Sequence, residues 1–178
     1  MTLTIIVLVV LAVVLWGFYV SWRASRLDRL HNRAEAARTA LDLALVRRAS
    51  AAQELASSGL LDPAASLLLG DAVRRVREVG QAERDLAESD LTRRLRAPHG
   101  DPDFRKEFAE EKGAAELVAE VEAAAQQVFI ARKFYNDLAG RTVDARRRPL
   151  ARVLHLSGSA KQPEFFDMDD AIAGEGIE

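Results

Sequence analysis

A chain of 178 residues accommodates one membrane anchor and one domain, since domains run to roughly 100–200 residues, so a separate catalytic domain has no room. It contains no cysteine, which excludes disulfides, thiol nucleophiles and thiolate metal sites, and its net charge of −2 gives no overall pull toward nucleic acid or anionic lipid. Apolar residues make up 49% and aromatic residues only 6%, with Ala, Leu, Arg and Glu prominent, which is a long-helix composition. Beyond the N-terminal segment, no period-two run of β-branched and aromatic residues calls for a strand.

The first predicted element is a transmembrane anchor, residues 1–22. Leu3 to Val20 form an 18-residue apolar run, and no charged side chain occurs between Met1 and Trp22. At 1.5 Å per residue the run makes about 27 Å of helix, close to the ~30 Å hydrocarbon core. Trp16, Tyr19 and Trp22 gather at its C-terminal end, where amphipathic rings settle at headgroup level. A basic n-region and a small-x-small cleavage site are both missing, so the run is expected to stay as an anchor and not to be removed as a signal peptide. Arg23, Arg26, Arg29 and Arg33 follow at once. By the positive-inside rule the N-terminus is expected outside and the body in the cytoplasm.

Residues 23–158 read as a helical bundle. Leu27, Leu30, Ala34, Ala37, Leu41 and Ala44 recur at spacings of three and four, and Leu45, Ala52 and Leu55 continue a neighbouring stripe. No Pro or Gly occurs between Trp22 and Gly59, so the anchor is predicted to run unbroken into this helix and to stop near Ser57-Ser58-Gly59. Asp62-Pro63 is a helix start, cap followed by proline. The second predicted helix carries Leu69, Val73, Val76, Val79, Ala82 and Leu86 and fades toward Leu95, although Gly70 and Gly80 each cost it about 1 kcal/mol. Asp101-Pro102 repeats the start signal and opens a third helix with Leu117, Val121, Ala124, Val128, Ala131, Tyr135 and Leu138 along one face, extended backward by Phe104 and Phe108. Pro149 opens a short C-terminal helix closed by Ser157-Gly158-Ser159. The expected fold is therefore all-α: a transmembrane helix continuing into an antiparallel bundle of three long helices plus a short one. Residues 159–178 read as an acidic, largely disordered tail.

Chemistry is hard to find. His31, His99 and His155 fall in different elements with no metal-ligand spacing, and the carboxylate groups Glu107, Glu110, Glu111 and Glu116, Glu120, Glu122 lack the Glu-x-x-His partner of a di-metal bundle. No phosphate-binding, dinucleotide or nucleophile-elbow motif occurs. The expectation is a chain with no metal, no cofactor and no catalytic residue. Two features carry interaction readings. Arg141, Arg146, Arg147, Arg148 and Arg152 cluster beside Leu150, Val153, Leu154 and Leu156. They can meet phospholipid headgroups or an unidentified protein partner, or can be kept solvated and paired by the acidic tail; nucleic acid is not expected. Phe165 and Phe166, set among Glu164, Asp167, Asp169 and Asp170, form either a short docking motif or a segment folded back on the bundle end. Intermolecular coiled-coil pairing through the stripes is also compatible with the pattern, which leaves the oligomeric state open.

The segment Phe134-Tyr135-Asn136-Asp137, the stretch Arg141 to Leu150 with Val153-Leu154-His155-Leu156-Ser157-Gly158, and Pro163-Glu164-Phe165-Phe166-Asp167 together resemble the C-terminal signature of the LemA family. Arg47-Arg48-Ala49 resembles that family's K-R-R stretch on the first long helix. Two stretches depart from the pattern: Ser50-Ala51-Ala52-Gln53-Glu54 replaces Asp-Leu-Ile-Pro-Asn, and Thr142-Val143 stands where a second Tyr-Asn is usual. The resemblance implies a divergent bacterial member, a membrane-attached antiparallel helical bundle of a family whose molecular function is poorly defined; the anchor, the apolar stripes and the lack of a chemical motif set the expectation of a protein-interaction or scaffold role at the membrane.

Overall fold

The computed structural model describes residues 2–99, 112–147 and 161–170. Helix α1 runs unbroken from Thr2 to Ser57, α2 from Pro63 to Glu78, a 3-10 turn from Gln81 to Glu83, α3 from Arg84 to His99, and α4 from Lys112 to Arg147. Among the described residues there is no strand. The expected start at Asp101-Pro102, Phe104 and Phe108, and the short helix opening at Pro149 lie outside the described residues.

The described residues fall into two compact units. One comprises residues 38–99, 112–135 and 166–170. Here α1 meets α4 antiparallel: Arg38 stacks on Tyr135, and Arg47 hydrogen-bonds both Gln127 and Glu120. Contacts between α1 and α3 ascend together, Asp42 with Arg84 and then Arg48 with Glu88 and Thr92, so these two run parallel and the turns on either side of α2 each reverse the chain. Leu55, Val73, Leu91, Leu95, Val121 and Ala124 are among the residues of a single buried cluster drawn from all four helices.

The local signals explain the turns. Ser57 Oγ donates to the Gln53 carbonyl and Ser58 Oγ to that of Leu55, while Gly59 takes φ = 79°, a left-handed conformation that a side chain would strain. Asp62 Oδ1 then accepts from the backbone N–H groups of Ala64 and Ala65, and Pro63 occupies the first helical position, where no N–H is needed.

One expectation is overturned: the second predicted helix is two. At Val79 the backbone turns extended (ψ 145°), Gly80 continues so (ψ 173°), and the 3-10 turn restarts the chain as α3. The break resets the apolar stripe. Leu69, Ala72, Val73 and Val76 are buried in α2, but α3 buries Ala87, Leu91 and Leu95, leaving Leu86, which the uninterrupted stripe would bury, 74% exposed. A long helix cannot reverse direction; the break lets α2 and α3 fold against each other and cover both sides of the same core.

The other unit comprises residues 2–37, 136–147 and 161–165. Leu27, Ala34 and Ala37 of α1 and Leu138, Ala139 and Val143 of α4 are buried in it, the alanines permitting close approach of the backbones. Thr142 is buried too, its hydroxyl satisfied by the Leu138 carbonyl at 2.8 Å. Toward the N-terminus α1 has no such cover: Thr2 to Tyr19 are all exposed. This part of α1 is long and apolar enough to cross a membrane, and none of its apolar window is buried. At its end Trp16 and Tyr19 lie 6.2 Å apart, and Arg23 Nε donates to the Tyr19 hydroxyl at 3.2 Å.

Candidate functional site

Three arrangements of side chains stand out, and sequence reasoning anticipated parts of two. The first is the arginine cluster. Arg141, Arg146 and Arg147 occupy the last two turns of α4; Arg148 and Arg152 lie outside the described residues. Arg141 is exposed and pairs with Asp137 one turn back, Nε to Oδ2 at 2.9 Å. Arg146 and Arg147 stand in the last turn, where cations also offset the negative end of the helix dipole.

The second involves the two phenylalanines, which part company. Phe165 is 57% exposed, whereas Phe166 is 1% exposed and Met168 5%. Of the two readings left open by the sequence, Phe166 takes the folded-back one. Where the sequence reads a largely disordered tail, residues 161–170 are without helix, and 166–170 lie along α3 and α4. The Phe166 ring sits 4.8 Å from the Arg38 guanidinium, which also lies 5.4 Å from the Tyr135 ring, so one cation is stacked against two aromatic faces.

The third was not anticipated. Arg48 and Glu88 are each about 2% exposed at the side chain, and Arg48 Nη2 donates to Glu88 Oε2 at 2.6 Å. Arg48 Nη1 donates to Thr92 Oγ1 at 2.9 Å, and the same hydroxyl donates to the Glu88 carbonyl at 3.0 Å. Arg84, from the turn before, stands 3.8 Å from Glu88 Oε1 and 3.4 Å from Asp42. Burial outweighs these cations: it pushes the Glu88 carboxyl above the usual glutamate range, with Arg48 and then Arg84 pulling it back down. A signal for the pair was present. Arg48 falls on the buried stripe with Leu41, Ala44, Leu45, Ala52 and Leu55, and a charge on such a stripe needs a buried partner.

Glu88 also lines a cleft of about 390 Å³ where α1, α2 and α3 meet at the Val79 break. Leu45, Val46, Ala49, Val76 and Val79 supply its apolar lining, and Ser50, Arg77 and Arg84 the rest of its polar lining. No group of three or more potential metal ligands is brought together among the described residues. No family model, curated protein or solved structure matches the chain.

Proposed function

We propose that this chain is a membrane-anchored interaction protein, a LemA-like helical bundle that holds protein partners at a bacterial membrane with its body on the cytoplasmic side, and that it is not an enzyme. The observation carrying this reading is the continuity of α1. The same unbroken helix that exposes an uncovered apolar surface from Thr2 to Tyr19 goes on to supply Leu41, Leu45, Ala52 and Leu55 to the bundle core. An apolar surface of that extent needs a lipid or protein cover. The Trp16, Tyr19 and Arg23 contacts suit a headgroup boundary at its end. Proximity labelling in cells from a C-terminal tag, with protease accessibility of the tag in spheroplasts, tests it. A protected tag and a reproducible set of labelled membrane neighbours are expected. Labelling at background level would refute the interaction role, and digestion of the tag would refute the orientation.

A second reading, contact with anionic lipid headgroups, is favoured by one juxtaposition. In the unit of residues 2–37 and 136–147, α1 carries Arg23, Arg26, Arg29 and Arg33 and α4 carries Arg141, Arg146 and Arg147. Both groups of arginines thus belong to the unit that carries the apolar span. Basic side chains near an anionic surface contribute about 1 kcal/mol each. Flotation of a chain lacking residues 1–22 with anionic liposomes is expected to weaken on changing Arg146, Arg147 and Arg148 to Ala; unchanged flotation would remove this reading.

A further inference from the structure

The way residues 166–170 are held is the way an extended peptide is recognised. The N–H of Asp167 donates to Asp85 Oδ2 at 3.2 Å and the N–H of Asp169 to Ser89 Oγ at 3.0 Å. Asp85 and Ser89 are four residues apart on α3, about 6 Å along a helix axis, and alternate amides of an extended chain recur every ~6.6 Å. The spacing of the acceptors therefore suits alternate amides of an extended chain. Along the segment the side chains alternate: Phe166 and Met168 are buried, Asp167 and Asp169 exposed. The acids are met by cations, Arg96 Nη2 to Asp169 at 2.8 Å and Arg132 Nε to Asp170 at 2.8 Å. The groove thus reads main chain through two side-chain acceptors, shape through two apolar seats, and charge through two arginines.

We propose that this groove on α1, α3 and α4 docks an extended acidic peptide of a partner protein, with an aromatic residue, an apolar residue two positions on, and two acids after it. Residues 166–170 then occupy the site as a tethered competitor. Charge complementarity and the match of register select that chemistry, since main-chain bonds supply affinity and seats for alternate side chains supply specificity. The proposal deepens the interaction reading above and rests on it.

The probe is a labelled peptide with the sequence Gln162 to Asp170, titrated against the full chain in nanodiscs and followed by fluorescence anisotropy. Replacing Phe166 by Asp in the full chain releases the tethered segment. The probe is then expected to bind about tenfold or more tighter than to the wild-type chain, because the tethered segment competes at an effective concentration on the order of millimolar. Adding Arg96→Glu or Arg132→Glu should abolish the gain. Should the Phe166→Asp chain fail to fold by circular dichroism, Asp169→Arg with Asp170→Arg releases the segment by charge and leaves Phe166 intact. Equal binding to the wild-type and released chains, or none to a folded released chain, overturns the proposal. A disulfide formed between separate Ser89→Cys and Asp169→Cys chains, readable because the wild-type chain has no cysteine, would make the occupant a second copy and overturn it also. If the probe fails, membrane neighbours found by labelling still stand; if labelling fails, the groove still binds its probe.

Discussion

Arg47 and Arg48 are adjacent in sequence and lie on two different seams. Arg47, half exposed at the side chain, reaches across the α1–α4 seam to Glu120 at 2.9 Å and to Gln127 at 3.1 Å. Arg48, at the α1–α3 seam, is 2% exposed and grips Glu88 at 2.6 Å. The shorter, buried pair is the one whose net contribution is in question, because desolvating two ions costs several kcal/mol that their attraction only partly returns. The exposed pair forfeits little and gains little. Similar contacts on neighbouring residues therefore answer different questions: the outer pair asks how much an exposed contact adds to stability, and the inner pair asks whether the α1–α3 seam needs its buried charges.

The sharpest way to break the comparison is to remove one member of the inner pair. Glu88→Ala strands the Arg48 guanidinium in the core and is expected to destabilise the chain by about 3–5 kcal/mol in thermal or denaturant unfolding. Arg48→Met with Glu88→Leu removes both charges and should recover most of that loss or exceed it. If the double replacement is as damaging as the single one, the pair itself, and not merely its balance, holds the seam.

The pH dependence sharpens the same point. The folded Glu88 carboxyl lies above its unfolded value because burial disfavours its charge. Its contribution is therefore fully present below the unfolded value, ~4.3 for glutamate, and is lost as the pH rises through the folded one. Measured against Glu88→Gln, the wild-type chain should gain stability as the pH is lowered from 7 toward that range. Parallel curves for the two chains would mean that Arg48 and Arg84 fully offset the burial.

A smaller effect belongs to the turn that joins α1 to α2. Asp62→Ala leaves the N–H groups of Ala64 and Ala65 without their side-chain acceptor and should cost about 1 kcal/mol, with Asp62→Asn nearly neutral because Asn caps as well.

The difference between the two seams also marks what the sequence discloses. Stripes at spacings of three and four identify the buried face of α1 and of α4 nearly residue by residue, and Gly59 and Asp62-Pro63 stop one helix and start the next. These signals are local, set by periodicity and by unpaired groups at helix ends. The break at Val79-Gly80 is different: one glycine costs a helix about 1 kcal/mol, too little to decide between one long helix and two, so long-range packing decides. Glu88 and Thr92 acquire their roles only after that break sets the phase of α3. Phe166 shows the same limit, since an aromatic among acids reads equally as a docking motif or as a folded-back segment until the fold brings Arg38 to its ring and Arg96 and Arg132 to Asp169 and Asp170.

The least of the effects lies at the outer seam, and there the contrast with Arg48 is cleanest because the two arginines are adjacent in the chain. Arg47→Ala or Glu120→Ala should change stability by about 0.2–1 kcal/mol, and the change should shrink further when salt is raised from low ionic strength toward 1 M. The Glu88→Ala loss should persist over the same salt range, since buried charges are screened far less. A salt-independent loss at Arg47 would mean that its guanidinium acts through packing of its stem and its bond to Gln127, not through its charge. The two seams would then differ in degree and not in kind.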